Sequence, residues 1–157
     1  MEVHAETLEE EATHATDEAR MVLPGVQAIL GFQLIAVFNQ RFENLSTAQQ
    51  YVHLGAFLLV VLAMGLLMAP AAYHRQVERG QLSRRFVNIA SAFLSAAMVP
   101  LALGVALDAY LISFLISHDA VGSALIGLGV CAALSGLWFV LPFLIGKAHR
   151  REKLPRS

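Results

Sequence analysis

Asp108 is the only acid inside the apolar stretches of this chain of 157 residues, set in LALGVALDAYLISF. An ionised carboxylate at membrane depth is costly without water or a counter-charge, so such a residue is a candidate proton or cation site. Its depth argues the other way. Asp108 lies 22 residues beyond Phe86, about 33 Å along a straight helix, at or within two turns of the outer boundary. Arg41, His53 and His118 fall near the same boundary, so a structural pairing with one of them is the expectation and an ion or proton site the alternative. Two amides accompany it, Gln27 and Gln33. Gln33 falls near mid-membrane, where an amide needs a partner, and it should face the bundle and hydrogen-bond across helices for about 1 kcal/mol.

Placed by depth, Pro24, Gln27, Pro70, His74, Asn88, Ser91 and Pro142 share the half nearer the arginine-rich loop. Gln27, Gln33, His74 and Asn88 are the candidate polar lining of a vestibule there, since each proline frees a backbone carbonyl. The plainer expectation is that the prolines bend helices and the amides pair internally. His74 precedes Arg75 and is expected to cap helix carbonyls, with titration near neutral pH as its other option. No nucleophile–base pair, phosphate-binding glycine loop or metal-ligand cluster stands in the sequence, and the glycines of GSALIGLGV belong to a helix long enough to cross lipid. The single cysteine, Cys131, lies in an apolar run and reads as a packing residue. An enzyme is therefore not expected, nor a cofactor, a metal or a nucleic-acid partner.

The elements that position these residues follow from hydropathy. Hydrophobic residues make up 57% of the chain and charged ones 15%, with a mean hydropathy of +0.60, too apolar for a soluble domain of this size. Tyr51–Tyr73 runs 23 residues without an acid, Lys or Arg, about 34 Å as a helix and enough to cross the roughly 30 Å hydrocarbon layer. Met21–Phe38, Phe86–Ile116 and Val121–Gly146 complete a set of four spans, an all-α four-helix bundle with spans near 21–38, 51–73, 86–112 and 121–146. The third stretch exceeds one perpendicular crossing, so it tilts, kinks at Pro100 or continues past the membrane edge. Residues 1–20 form an acidic, partly helical tail and 147–157 a basic one. The second loop and the C-terminal tail together carry nine Lys or Arg against one in the other two loops, which places both termini in the cytoplasm. Arg75, Arg79, Arg84 and Arg85 are then the basic loop that meets anionic lipid headgroups. Small residues at four-residue spacing, with Ser91, Ser95, Gly127, Ala132 and Gly136 as the packing candidates, point to the third and fourth spans as the tightest pair and allow a homo-oligomer.

Leu23-Pro24-Gly25-x-Gln27, Gly31-Phe32-Gln33 and above all Met68-Ala69-Pro70-Ala71-Ala72-Tyr73-His74-Arg75 resemble an uncharacterised bacterial family of four-span proteins known as a domain of unknown function. The resemblance covers roughly residues 20–146 and implies that Gln27, Gln33, Pro70, His74 and Arg75 belong to the family's pattern. It also implies a bacterial inner membrane. Members are sometimes labelled sodium:proton antiporters. Because its polar residues are few and mostly neutral, the chain is read first as an accessory or structural membrane protein. The alternative is an oligomeric channel or a cation- or proton-coupled transporter.

Overall fold

The computed structural model describes residues 7–77 and 83–152, leaving the expected turn at Gly80 and the loop residue Arg79 outside the described residues. The described chain is helical throughout, with no strand. Helix α1 is Leu8–Val37, the short α2 is Gln40–Glu43, α3 is Thr47–Val77 and α4 is Arg84–Ser117. The last span begins as α5, Ala120–Ser135, passes through a π-helical segment at Gly136–Val140 and ends as α6, Leu141–Glu152. Four helices are long and apolar enough to cross a membrane: Leu8–Val37, Thr47–Val77, Arg84–Ser117 and Ala120–Lys147.

Helices α1, α3, α4 and α5 start where the sequence supplies a cap. The backbone N–H of Glu10 donates to Thr7 Oγ1 and that of Thr7 donates to Glu10 Oε2, a reciprocal box that satisfies two N-terminal donors of α1. Ser46 and Gln49 repeat the exchange before α3. Ser83 caps α4 by accepting from the Phe86 N–H, and Asp119 caps α5 by accepting from the Val121 and Gly122 N–H groups. His118 takes a left-handed backbone, φ 54°, to end α4, so Ser117–Ala120 turns the chain tightly, as its sequence suggests.

Helix α1 crosses the boundary expected at residue 20 without a break. No glycine or proline interrupts residues 8–23, and Ala12, Ala15, Ala19, Val22 and Val26 keep one apolar stripe across that point. Pro24 sits inside the helix and does not end it. The acidic segment is thus the first part of a 30-residue helix, held to the rest by buried Ala12 and Ala15 and by Arg84, which donates to both carboxylate oxygens of Glu11 at 3.0 and 2.9 Å. Helix α4 likewise continues through Pro100 to Ser117.

The interior is built on three seven-residue repeats. In α1 the inward stripe runs Ala12, Ala19, Val26, Gln33; in α3, His53, Val60, Leu67, His74; in α4, Val87, Leu94, Leu101, Asp108. A spacing of 3.5 residues per turn keeps such a stripe facing a nearly parallel neighbour.

The most extensive packing joins α3 and α4, not the third and fourth spans as the small-residue spacing suggests. The reason lies at Gly104, where a Cβ atom would come within 2.8 Å of Val60 Cγ2 and 3.1 Å of the Ala56 carbonyl oxygen, so only glycine lets the two backbones approach. Helix α5 closes on α4 at one end through Ser123 and Gly127, whose added Cβ would stand 3.0 Å from the Ala106 carbonyl oxygen. Toward the other end the pair separates. Ser91, Ser95 and Ala132 are exposed, Gly136 is half-buried at the start of the π segment, and a gap of about 290 Å³ opens between Val99, Ala102 and Phe139.

Candidate functional site

Three polar side chains meet where the stripes of α1, α3 and α4 converge, near the end of the bundle closed by α2. Gln33 lies one turn before the end of α1, His53 two turns into α3, and Asp108 nine residues before the end of α4. Gln33 is 4% exposed and His53 8%. The Gln33 Nε2 amide donates to Asp108 Oδ2 at 2.7 Å. His53 Nε2 stands 3.0 Å from the backbone carbonyl oxygen of Gln33, and its Nδ1 stands 3.8 Å from Asp108 Oδ1. The edge of Phe42, on α2, meets the His53 ring at a centroid distance of 5.2 Å and 70°.

These contacts constrain where protons sit. A carbonyl oxygen only accepts, so the His53 nitrogen facing Gln33 must carry hydrogen, and Nε2–H is assigned on that ground. That leaves Nδ1 facing a carboxylate oxygen. At 3.8 Å the two are too far apart for a direct hydrogen bond, so the site sets an imidazole beside a carboxyl group whose hydrogen-bond donor is the Gln33 amide. A negative charge between helices is costly away from water.

The amide orientation follows by the same logic. Asp108 needs a donor, so Nε2 faces it, and Gln33 Oε1 is then buried with no hydrogen-bond partner. A cavity of about 340 Å³ adjoins the cluster, lined by Gln33, His53 and Asp108 and by apolar residues that include Ile29, Phe42 and Leu111. A second, of about 390 Å³, lies on the other side of the α1–α3 seam against Gln33, His53, Leu34 and Gln50.

The residues singled out from the sequence do not form one site. Gln33 and Asp108 come together, with His53 as the partner from among the three considered for Asp108. His118 is exposed beside Phe114, at a ring distance of 6.2 Å, and the Arg41 side chain lies outside the described residues. Gln27 and Asn88 are exposed and share no cavity with Gln33. His74 lies in the last turn of α3; its ring packs on Phe86 at a ring distance of 5.1 Å, with Nδ1 buried and without a hydrogen-bond partner. It lines a separate cavity of about 560 Å³ with Ala15, Pro70 and Arg75. Arg75 and Arg85 are exposed, whereas Arg84 is engaged by Glu11. His53 was the member that sequence depth undervalued. The signal for it is arithmetic: His53 heads the stripe that continues through Ala56, Val60 and Ala63, just as Asp108 continues the one through Leu94 and Leu101.

A family model, DUF6328, described as a family of unknown function, matches residues 1–142. The match begins at residue 1 and so takes in the acidic segment that the resemblance left out. No curated protein and no solved structure matches the chain.

Proposed function

We propose that this chain, which belongs to the DUF6328 family, is a multi-pass membrane protein that takes up and releases a proton at the Asp108–His53 pair and couples that exchange to movement of a solute or ion. One observation carries the reading: a carboxylate and an imidazole, each from a different membrane-length helix, face one another at 3.8 Å with a neutral amide alongside. Intramembrane ionisable groups are rare because they are costly, and they mark proton and ion routes. The arginine-rich second loop and the basic C-terminal tail support an orientation with both termini in the cytoplasm of a bacterium and the site nearer the outer face.

Purified protein reconstituted in liposomes with a trapped pH dye, and with potassium and valinomycin to clamp the voltage, tests the reading. With sodium, potassium or a small organic ammonium ion supplied in turn on the opposite side, wild type should collapse an imposed pH gradient faster than protein-free liposomes, and Asp108→Asn and His53→Gln should return the rate to that background. Wild type no faster than empty liposomes, or Asp108→Asn as fast as wild type, sinks it.

An accessory role is the second reading, supported by the last span, where 6% of the most apolar window is buried and Leu125, Leu128 and Phe143 are exposed. A photo-crosslinking residue at Leu128 should then capture a second membrane protein in the native membrane, and capture of lipid alone removes the reading.

A further inference from the structure

We infer that the cavity beside Asp108 binds a small organic cation, a protonated primary or secondary amine on an apolar body, in exchange for the proton held by Asp108 and His53. This rests on the proton-exchanging reading of the site and adds to it the class of solute. The cavity, about 340 Å³, is of the size that small-molecule sites occupy, commonly roughly 300–1,000 Å³. Its walls are mostly apolar, from Ile29, Phe42, Leu111 and Leu115. A carbon body belongs there.

Asp108 is the acidic group the cavity offers, beside the amides of Gln33 and Asn39 and the imidazole of His53. Asp108 Oδ1 is 3.8 Å from His53 Nδ1, longer than a hydrogen bond. A carboxylate oxygen without a close donor is a cost that a ligand carrying N–H groups would remove, and the carboxylate selects for positive charge. The same carboxylate disfavours an anion, and a neutral hydrocarbon would leave it uncompensated.

Charge balance fixes the exchange. In the proposed exchange the unliganded site carries one proton on either Asp108 or His53 and is neutral. An ammonium ion that enters brings one positive charge, that proton leaves to solvent, and the cluster with its ligand is again neutral as carboxylate, imidazole and ammonium. No bond other than the one to that proton is made or broken. Of the described residues only His53, on α3, presents a titratable group to Asp108; α1 presents the neutral Gln33, and α2 presents Phe42, with Leu45 just beyond α2.

The test is equilibrium binding of phenethylammonium to the full chain in lipid nanodiscs, read by calorimetry and, in weak buffer, by a pH dye. The expected result is saturable binding with release of up to one proton per ligand, at least about tenfold stronger than for the uncharged 2-phenylethanol, and weakened about tenfold or more in Asp108→Asn. The alcohol comparison and the proton count are made on wild type, so they stand even if a variant fails to fold. No binding, binding without proton release, or binding equalled by the alcohol or by Asp108→Asn overturns the inference. Proton flux in liposomes without phenethylammonium binding would remove the solute class and leave the proton-exchanging site; absence of that flux would remove the site itself.

Discussion

Gln33 and Asp108, 75 residues apart in the chain, are joined by a 2.7 Å hydrogen bond that ties α1 to α4. Helix α1 packs less extensively on its neighbours than α3 and α4 do on each other. A single polar link therefore carries more of its attachment at this end than the same link would between the other two.

Gln33→Leu should loosen that attachment. The substitution removes the donor to Asp108, and it should lower stability by about 1–2 kcal/mol. Unfolding in mixed detergent measures it. Gln33→Glu should cost more, because it sets a second carboxyl against the first, and a smaller loss than in the Leu variant would contradict the assignment of Nε2 as the group facing Asp108.

Gly104 and Gly127 mark two close helix crossings, and their substitution should act differently on each. A Cβ at Gly104 would meet Val60 and the Ala56 backbone, and one at Gly127 the Ala106 backbone and Tyr110. Gly104→Val should destabilise by about 1–3 kcal/mol through overpacking of the central pair. Gly127→Val should instead shift the last span off α4, read as a rise in labelling of a Tyr110→Cys probe by a membrane-soluble maleimide, with less loss of overall stability.

The Glu11–Arg84 pair is well formed but largely open to solvent on the Arg84 side. A double-mutant cycle with Glu11→Gln and Arg84→Gln should return a coupling of about 0.5 kcal/mol or less, fading in high salt. Buried Ala12 and Ala15 hold the same segment by packing, so Ala15→Asp should release it where loss of the ion pair does not. Limited proteolysis near Arg20 reads the difference.

Cysteine labelling sets the orientation. From outside intact cells Ser46→Cys should react with a membrane-impermeant maleimide and Gly80→Cys should not, if the arginine-rich stretch around Gly80 lies in the cytoplasm as proposed. The reverse pattern would move the Asp108 site to the inner side.

Much of this was legible in the sequence. Four apolar stretches of sufficient length fix four membrane-length helices, and Ser46 marks where the second of them begins. Gln33 turned inward, as an amide in an apolar stretch must, but one turn before the end of α1 and not at mid-span as its depth count suggests. Two things were hidden. Depth counted from Phe86 along one straight rod says little about which side chains meet, whereas phase along the stripes does, and by phase Asp108 and His53 belong to the interior. The alanine stripe at 12, 15 and 19 is visible in the acidic start of the chain, but small side chains leave so weak a hydropathy signal that an exposed tail reads ahead of a docked helix, and the closeness of the fit shows only in the structure. The contact at Gly104 could not be read at all, since one glycine in an apolar run gives no hint of what lies opposite it.

The π segment at Gly136–Val140 has its own effect on the last span. There the Leu141 N–H reaches back five residues to the Gly136 carbonyl instead of four, which adds one residue to a single coil of the helix. Every side chain beyond it is rotated by about 100° from where an uninterrupted helix would carry it. The residues around Gly127 that grip α4 and those around Phe143 are consequently out of phase. One continuous rod thus points two differently aimed edges at its surroundings, and deleting a single residue between 136 and 140 would realign them.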